Sequence, residues 1–264
     1  MNKNCKQFIL ILTVLMSVFV LVECGRTKTN SENENAIGII GAMDVEVDSL
    51  KKEAHITKTT EIAGMTFAEG KIGGKNVVIV KCGMGKVNAG ICANTLIRDF
   101  GCIKIINTGV AGSLCNDIDI GDIVVSVDAV QHDFDVSPIG FVKGEIPYTG
   151  LYAFPADEDL RKAVLQAAKS VPNIKVFEGR ICSGDQFINL KAQKEKIISD
   201  FGGLCCEMEG AAIAQTCYLN KTPYVIIRAI SDKEDGSASV EYEIFQKSAA
   251  ENSVKIVKSV VEKL

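Results

Sequence analysis

Tyr224-Val-Ile-Ile-Arg-Ala-Ile230, closed by Ser231-Asp232, is the stretch from which the fold class is read. A short apolar run rich in β-branched residues fits a strand buried on both faces, as in parallel sheets. Arg228 interrupts the run, and the polar stretch from Lys233 to Ser239 ends it. Asp232 thus stands at a strand's C-terminal end, the edge where ligands of open α/β sheets gather. Two more carboxylate clusters follow apolar runs: Asp44-Val-Glu46-Val-Asp48 after Ile37-Gly-Ile-Ile-Gly-Ala-Met43, and Glu207-Met-Glu209 after Leu204-Cys-Cys206. Three acidic groups delivered to one rim point to acid/base chemistry on an uncharged or cationic centre.

Working outward, strand signals cover 66–72, 76–81, 103–108, 122–130 and 176–182, besides 37–43, 204–206 and 224–230. Helical spacing occupies 87–100, 157–170, 192–199, 210–219 and 244–264. Gly73-Gly74 between two strand runs reads as a hairpin. Strands alternating with helices predict an α/β protein, a three-layer αβα sandwich around a central sheet made mixed by that hairpin. The span 136–155 holds three of the five prolines and no periodicity, and reads as a surface loop near the site.

The N-terminus is a different kind of segment. Lys3 and Lys6 precede an uncharged run from Phe8 to Val22, shorter than the roughly 20 residues a bilayer span needs. The pattern is that of a signal peptide over residues 1–24, and Leu21-Val-Glu-Cys24 resembles a bacterial lipoprotein cleavage site with Cys24 as the lipidated residue. The alternative is an uncleaved membrane anchor. Residues 25–36 read as a polar linker, and the roughly 230 residues that follow suit one large α/β domain at 37–264. Export to the periplasm or cell surface, with attachment to the membrane through Cys24, is the expectation. Ten cysteines would suit a disulfide framework, yet Cys82, Cys92, Cys102, Cys182, Cys205, Cys206 and Cys217 fall in or beside strands or on helix faces and read as buried thiols. No Cys/His spacing suggests zinc. A net charge of −4 gives no footprint for nucleic acid.

Two glycine turns follow strands. Cys82-Gly-Met-Gly-Lys86 leads into a helix, and its amides either hold an anion or form a tight turn under that helix. Asn107-Thr-Gly-Val-Ala-Gly112 is the second. Neither matches a dinucleotide or P-loop pattern. His132-Asp133, with no nucleophile motif nearby, reads as structural.

In order, Ile37–Met43, Gly83-Met-Gly-Lys-Val-Asn88, Ile106–Gly112, Gly121-Asp-Ile-Val-Val-Ser126, Ser183-Gly-Asp-Gln-Phe-Ile188, Glu207-Met-Glu209 and Arg228–Asp232 resemble the 5′-methylthioadenosine/S-adenosylhomocysteine nucleosidases of the nucleoside phosphorylase-like superfamily. The resemblance spans residues 37–264. It implies that superfamily's fold and hydrolysis of the bond between adenine and a 5-thio-substituted ribose, a step of methionine salvage. It also implies a homodimer, small adenine nucleosides as partners, and no cofactor or metal. By the same match, Glu46 orients water and Asp232, placed by Ser231, protonates adenine. Met208 and Glu209 contact ribose, with Arg228 supporting them. Phe187 stacks on adenine, Ile188 reads its edge through the backbone, and Met43 and Tyr242 wall the sugar. Val110 departs from the serine frequent in the family.

The chemistry stands beside the resemblance. A purine leaves a ribose readily once protonated, while water approaches from the far side, and two separated carboxyl groups serve that need in glycoside hydrolases. A nucleoside phosphorylase on the same fold would need cations for phosphate, whereas Asp44, Glu46 and Asp48 offer only carboxylates. A surface-displayed binding protein that has lost catalysis is the remaining alternative.

Overall fold

The computed structural model describes residues 35–233 and 238–264; the expected leader, Cys24 and nearly all of the polar linker lie outside the described residues. Its strands are β1 (Ile37–Gly41), β2 (His55–Ile62), β3 (Met65–Ile72), β4 (Lys75–Lys81), β5 (Lys104–Ser113), β6 (Ile123–Gln131), β7 (Phe154–Pro155), β8 (Val176–Ser183), β9 (Cys205–Glu207) and β10 (Tyr224–Asp232). The helices are α1 (Asp44–Glu53), α2 (Lys86–Arg98), α3 (Glu158–Ala168), α4 (Lys191–Phe201), α5 (Gly210–Asn220) and α6 (Ala238–Lys263).

Burial on both faces explains the apolar strands. In β4, Val77 and Ile79 face one core and Val78 and Val80 the other, following the two-residue period of a pleated strand. The first core is capped by α2 and α5 through Cys92, Leu96, Ile213 and Cys217. The second is capped by α1, α3 and α6 through Leu50, Val164, Val257 and Val261. These are the three layers expected, around one mixed sheet. The described cysteines are thiols outside any disulfide, and all but Cys115 are buried. Among the described residues, no helix is long and apolar enough to cross a membrane.

The sheet does more than alternate. β5 pairs with β1, with β10 and with β9, and β10 continues through β6 and β8 back to β9. Five strands therefore close into a ring, while β1, β4, β3 and β2 form an open wing. Within the ring β5 and β10 run parallel, and β9 runs antiparallel to β5. The carboxylates after β9 consequently reach the site from the opposite direction to those after β1 and β10. A single rim of parallel strand ends is not what gathers them.

Other local expectations also change. Asp44–Asp48, for which no helix is expected from periodicity, opens α1. Asn107–Gly112 is no turn: it continues β5, with Gly112 paired to Cys206. β2 escapes periodicity because, as an edge strand, it is mostly exposed, with Lys58 and Glu61 along it. The 136–155 span contains a 3₁₀ turn at Ser137–Ile139 and the short β7 paired to β6.

Leu96, on α2, is fully buried in the first core. Leu96→Ala is expected to lower unfolding free energy by about 2–5 kcal/mol through the cavity it leaves, measured by urea denaturation.

Candidate active site

Arg228 sits mid-way along β10, 1% exposed. A strand buried on both faces has no solvent for a guanidinium, so its charge must be met inside. One Nη2 hydrogen bond runs 2.7 Å to Asn107 Oδ1, and an ion pair joins the same nitrogen to Glu207. Glu209 Oε2 lies 3.6 Å away, and Nη1 donates 3.3 Å to the Val110 carbonyl. Burial pulls the guanidinium's pKa down, but Glu207, Glu209 and Glu46 outweigh it and hold it above the ordinary value. Gly109 lies opposite Arg228 in the β5–β10 ladder. A Cβ there would collide with Arg228 Nη1 and come within 2.6 Å of Glu46 Oε1, so only glycine leaves room for the pair.

Glu46 is the third residue of α1, and its carboxylate folds back over the helix start. Oε2 accepts from Ala42 N (2.6 Å) and Met43 N (2.9 Å), and Oε1 accepts from Val110 N (3.1 Å). These donors come from the end of β1 and the middle of β5, which locks the side chain across two strands. Burial raises its pKa above the usual carboxylate range, and Arg228 and the three amides restrain the rise.

Glu207 and Glu209 lie two residues apart at the end of β9. Glu207 serves the start of α5, accepting from Gly210 N (2.8 Å) and Glu209 N (3.1 Å), as an anion at a helix N-terminus does. Ser183 Oγ donates to it as well, and itself accepts from Ala211 N. Glu209 accepts instead from Gly85 N at 2.9 Å. The Gly83–Lys86 turn, open to an anion in sequence, thus holds a carboxylate of the protein, with Gly85 at φ +97 aiming its amide. Burial chiefly, and the nearby Glu207, push Glu209 to about 7, against Arg228 and the Gly85 amide.

Asp232 ends β10 and is buried, with Ser231 Oγ donating to Oδ2 at 2.9 Å. Tyr242, in the first turns of α6, donates to Met43 Sδ at 2.9 Å and meets Phe187 edge-to-face at 5.6 Å. Phe187 is half exposed, and Ile188 beside it is buried.

One cavity is lined by all ten residues singled out in the sequence: Met43, Glu46, Phe187, Ile188, Met208, Glu209, Arg228, Ser231, Asp232 and Tyr242. Glu207, Met84, Gln186 and Val110 line it too. Glu207 is visible in the sequence as part of the Glu207-Met-Glu209 acidic cluster, but its role at the helix start needs the fold. Asp44 and Asp48 do not enter: both are exposed, and Asp44 pairs with Lys81. No residue of 136–155 lines the cavity, so that span is no wall of the site within this chain. His132 and Asp133 border a neighbouring cleft, and Asp133 pairs with Lys86. Among the described residues, no cluster of three or more His, Cys, Asp or Glu is arranged to hold a metal.

Residues 36–262 match the phosphorylase superfamily. A 5′-methylthioadenosine/S-adenosylhomocysteine nucleosidase from Geobacillus sp. strain WCH70 is 41% identical over 230 residues, covering 86% of this chain and 98% of the relative. The nucleosidase of that name from Neisseria meningitidis, solved with methylthio-immucillin-A, superposes with a TM-score of 0.85 at 36% identity, covering 88% and 100% of the two chains. Futalosine hydrolase of Helicobacter pylori superposes with a TM-score of 0.83 at 33% identity, covering 87% and 98%. Fold and sequence define a member of the phosphorylase superfamily. Within it, the chain belongs to the 5′-methylthioadenosine/S-adenosylhomocysteine nucleosidase family.

Removing the shared cation should expose how the carboxylates depend on it. Arg228→Met is expected to destabilise the fold by about 3–5 kcal/mol at pH 8, because buried carboxylates lose their counter-charge. Glu46 and Glu209 already have folded pKa values above their unfolded ones, so the stability they contribute is full below the unfolded value and is lost as pH rises through the folded one. Without Arg228 both rise further, and the loss should be clearly smaller at pH 5 than at pH 8. Urea melts at the two pH values check this; equal losses would contradict it.

Proposed function

We propose that this chain hydrolyses the N-glycosidic bond of 5′-methylthioadenosine and S-adenosylhomocysteine, releasing adenine and the 5-thio-substituted ribose. One observation carries the choice of water over phosphate: Arg228 is the only cation among the cavity's described lining residues, and it is engaged by Glu207, Glu209, Asn107 and Val110. A phosphate entering beside Glu46 and Glu209 would meet carboxylates without a free cation.

In this reading adenine lies against Phe187, with its edge toward the Ile188 backbone, and Glu209 and Met208 meet the ribose. Asp232 gives its proton to the departing base at N7. Positive charge that develops on the sugar is stabilised by the surrounding carboxylates. Glu46, its oxygens fixed by three amides, keeps lone pairs for a water and takes that water's proton as the new C–O bond forms. Burial raises its pKa, which makes it a stronger base than a free glutamate. Met43 and Tyr242 wall the sugar's 5′ side. The futalosine hydrolase likeness shows that the fold alone does not select the nucleoside, so the assay must compare substrates.

We further propose a homodimer. Support comes from exposed apolar side chains: Val87 and Ile91 sit one turn apart on α2, with Leu219 and Tyr218 on α5. Export, with a lipid on Cys24, is proposed from the leader pattern alone.

Protein beginning at residue 25 is expected to release adenine from 5′-methylthioadenosine. Asp232→Asn should lower kcat at least a hundredfold, about 2.7 kcal/mol of barrier, while still binding adenine. Glu46→Gln should lower it as much or more, and kcat/KM of the parent should fall on acidification at a pH above the ordinary glutamate range. Near-parental turnover by either variant would remove that residue from the chemistry. Intact-mass analysis of native protein is expected to show the leader gone and acyl mass added; a full-length cytoplasmic species would contradict export.

A further inference from the structure

α4 turns Lys194, Ile197 and Phe201 inward, spaced as the buried stripe of an amphipathic helix. Its lysines 191 and 196 lie in solvent. Lys194 is therefore a charged residue at a core position, only 6% exposed. A buried ammonium is unfavourable unless it is hydrogen-bonded, and this one donates 2.8 Å to the backbone carbonyl of Lys233.

Lys233 directly follows Asp232, and its other polar groups are held too. Its N–H donates 2.9 Å to Glu241 Oε2 of α6. Its ammonium reaches the Ile118 carbonyl and Asp119 Oδ1. Of these ties, the one from Lys194 alone begins on the helix that follows the Phe187–Ile188 segment. A single ammonium thus joins the segment facing the base to the strand end carrying the acid. Neither Lys194 nor Glu241 lines the cavity, so neither meets substrate there.

We propose that Lys194 is a positioning residue for proton delivery by Asp232, setting the acid's distance to the base held beside Phe187 and Ile188 through its hold on the Lys233 carbonyl. The proposal rests on the nucleosidase reading. Proton transfer requires hydrogen-bond reach, and a small displacement of the donor is enough to lower rate by a large factor.

The test compares Lys194→Met and Lys194→Arg with the parent on two substrates, 5′-methylthioadenosine and its 6-chloropurine counterpart. The electron-poor chloropurine departs more readily as an anion and relies less on the acid. Lys194→Met is expected to lower kcat on 5′-methylthioadenosine at least tenfold with KM within threefold. Its loss on the chloropurine substrate should be markedly smaller, and Lys194→Arg should recover most of the adenine rate. Parental kcat in Lys194→Met, a loss confined to KM, an equal loss on both bases, or no recovery in Lys194→Arg would each overturn the proposal. If Lys194→Met does not fold, Glu241→Ala, which frees the Lys233 N–H, is read by the same comparison of bases, and an equal loss on both again overturns it. Parent protein inert on both nucleosides would instead overturn the functional reading on which the proposal rests.

Discussion

Three buried carboxylates gather around one buried guanidinium, and the arrangement of this molecule depends on that. Arg228 could not remain charged inside β10 without Glu207 and Glu209, and they could not remain so close without it. The cluster draws on separate parts of the chain: Asn107 and Val110 from β5, Glu207 from β9, and Glu46 from α1 held by the β5 amide of Val110. Gly109 leaves the space in which they meet. Closure of the ring makes the convergence possible, since β9 brings its acids against the run of β5 and β10.

The same electrostatics divide the carboxylates by task. Glu207 is consumed by the start of α5 and by Arg228, and is a structural anion. Glu209, pushed to about 7, sits where a neutral and a charged form are both accessible near neutrality. Glu46 is raised by burial yet held by three amides, the condition of a base that keeps some affinity for a proton. Asp232 stands at the cavity's other strand end, oriented by the Ser231 hydroxyl. Similar side chains thereby acquire different chemistry from their partners.

Much of this was legible in the sequence where burial and polarity conflict. Arg228 within an apolar strand, and acids after other apolar runs, point to Glu46, Glu207, Glu209 and Asp232. Met43, Phe187, Ile188, Met208 and Tyr242 follow only from the family resemblance, and Asp44 and Asp48 share the pattern without entering the cavity. Apolar runs located β1, β4, β5 and β10, because strands buried on both faces carry little else. The edge strand β2 left no such trace, as its exposed face tolerates threonine, lysine and glutamate. The two glycines of Asn107–Gly112 signal a turn in sequence, whereas Gly109 serves close approach to Arg228 and Glu46 inside β5. Nor could spacing show that the Gly85 amide binds Glu209, or that the Lys194 ammonium meets the Lys233 carbonyl, since both are long-range contacts.

The central claim is that water, oriented by Glu46, is the nucleophile in a cavity whose described lining offers Arg228, already paired with Glu207 and Glu209, as its only cation. Turnover of 5′-methylthioadenosine in ¹⁸O-water containing phosphate, with the sugar product analysed by mass spectrometry, tests it most directly. The account predicts free 5-methylthioribose carrying the label at C1, at a rate independent of phosphate. Unlabelled 5-methylthioribose 1-phosphate would contradict it.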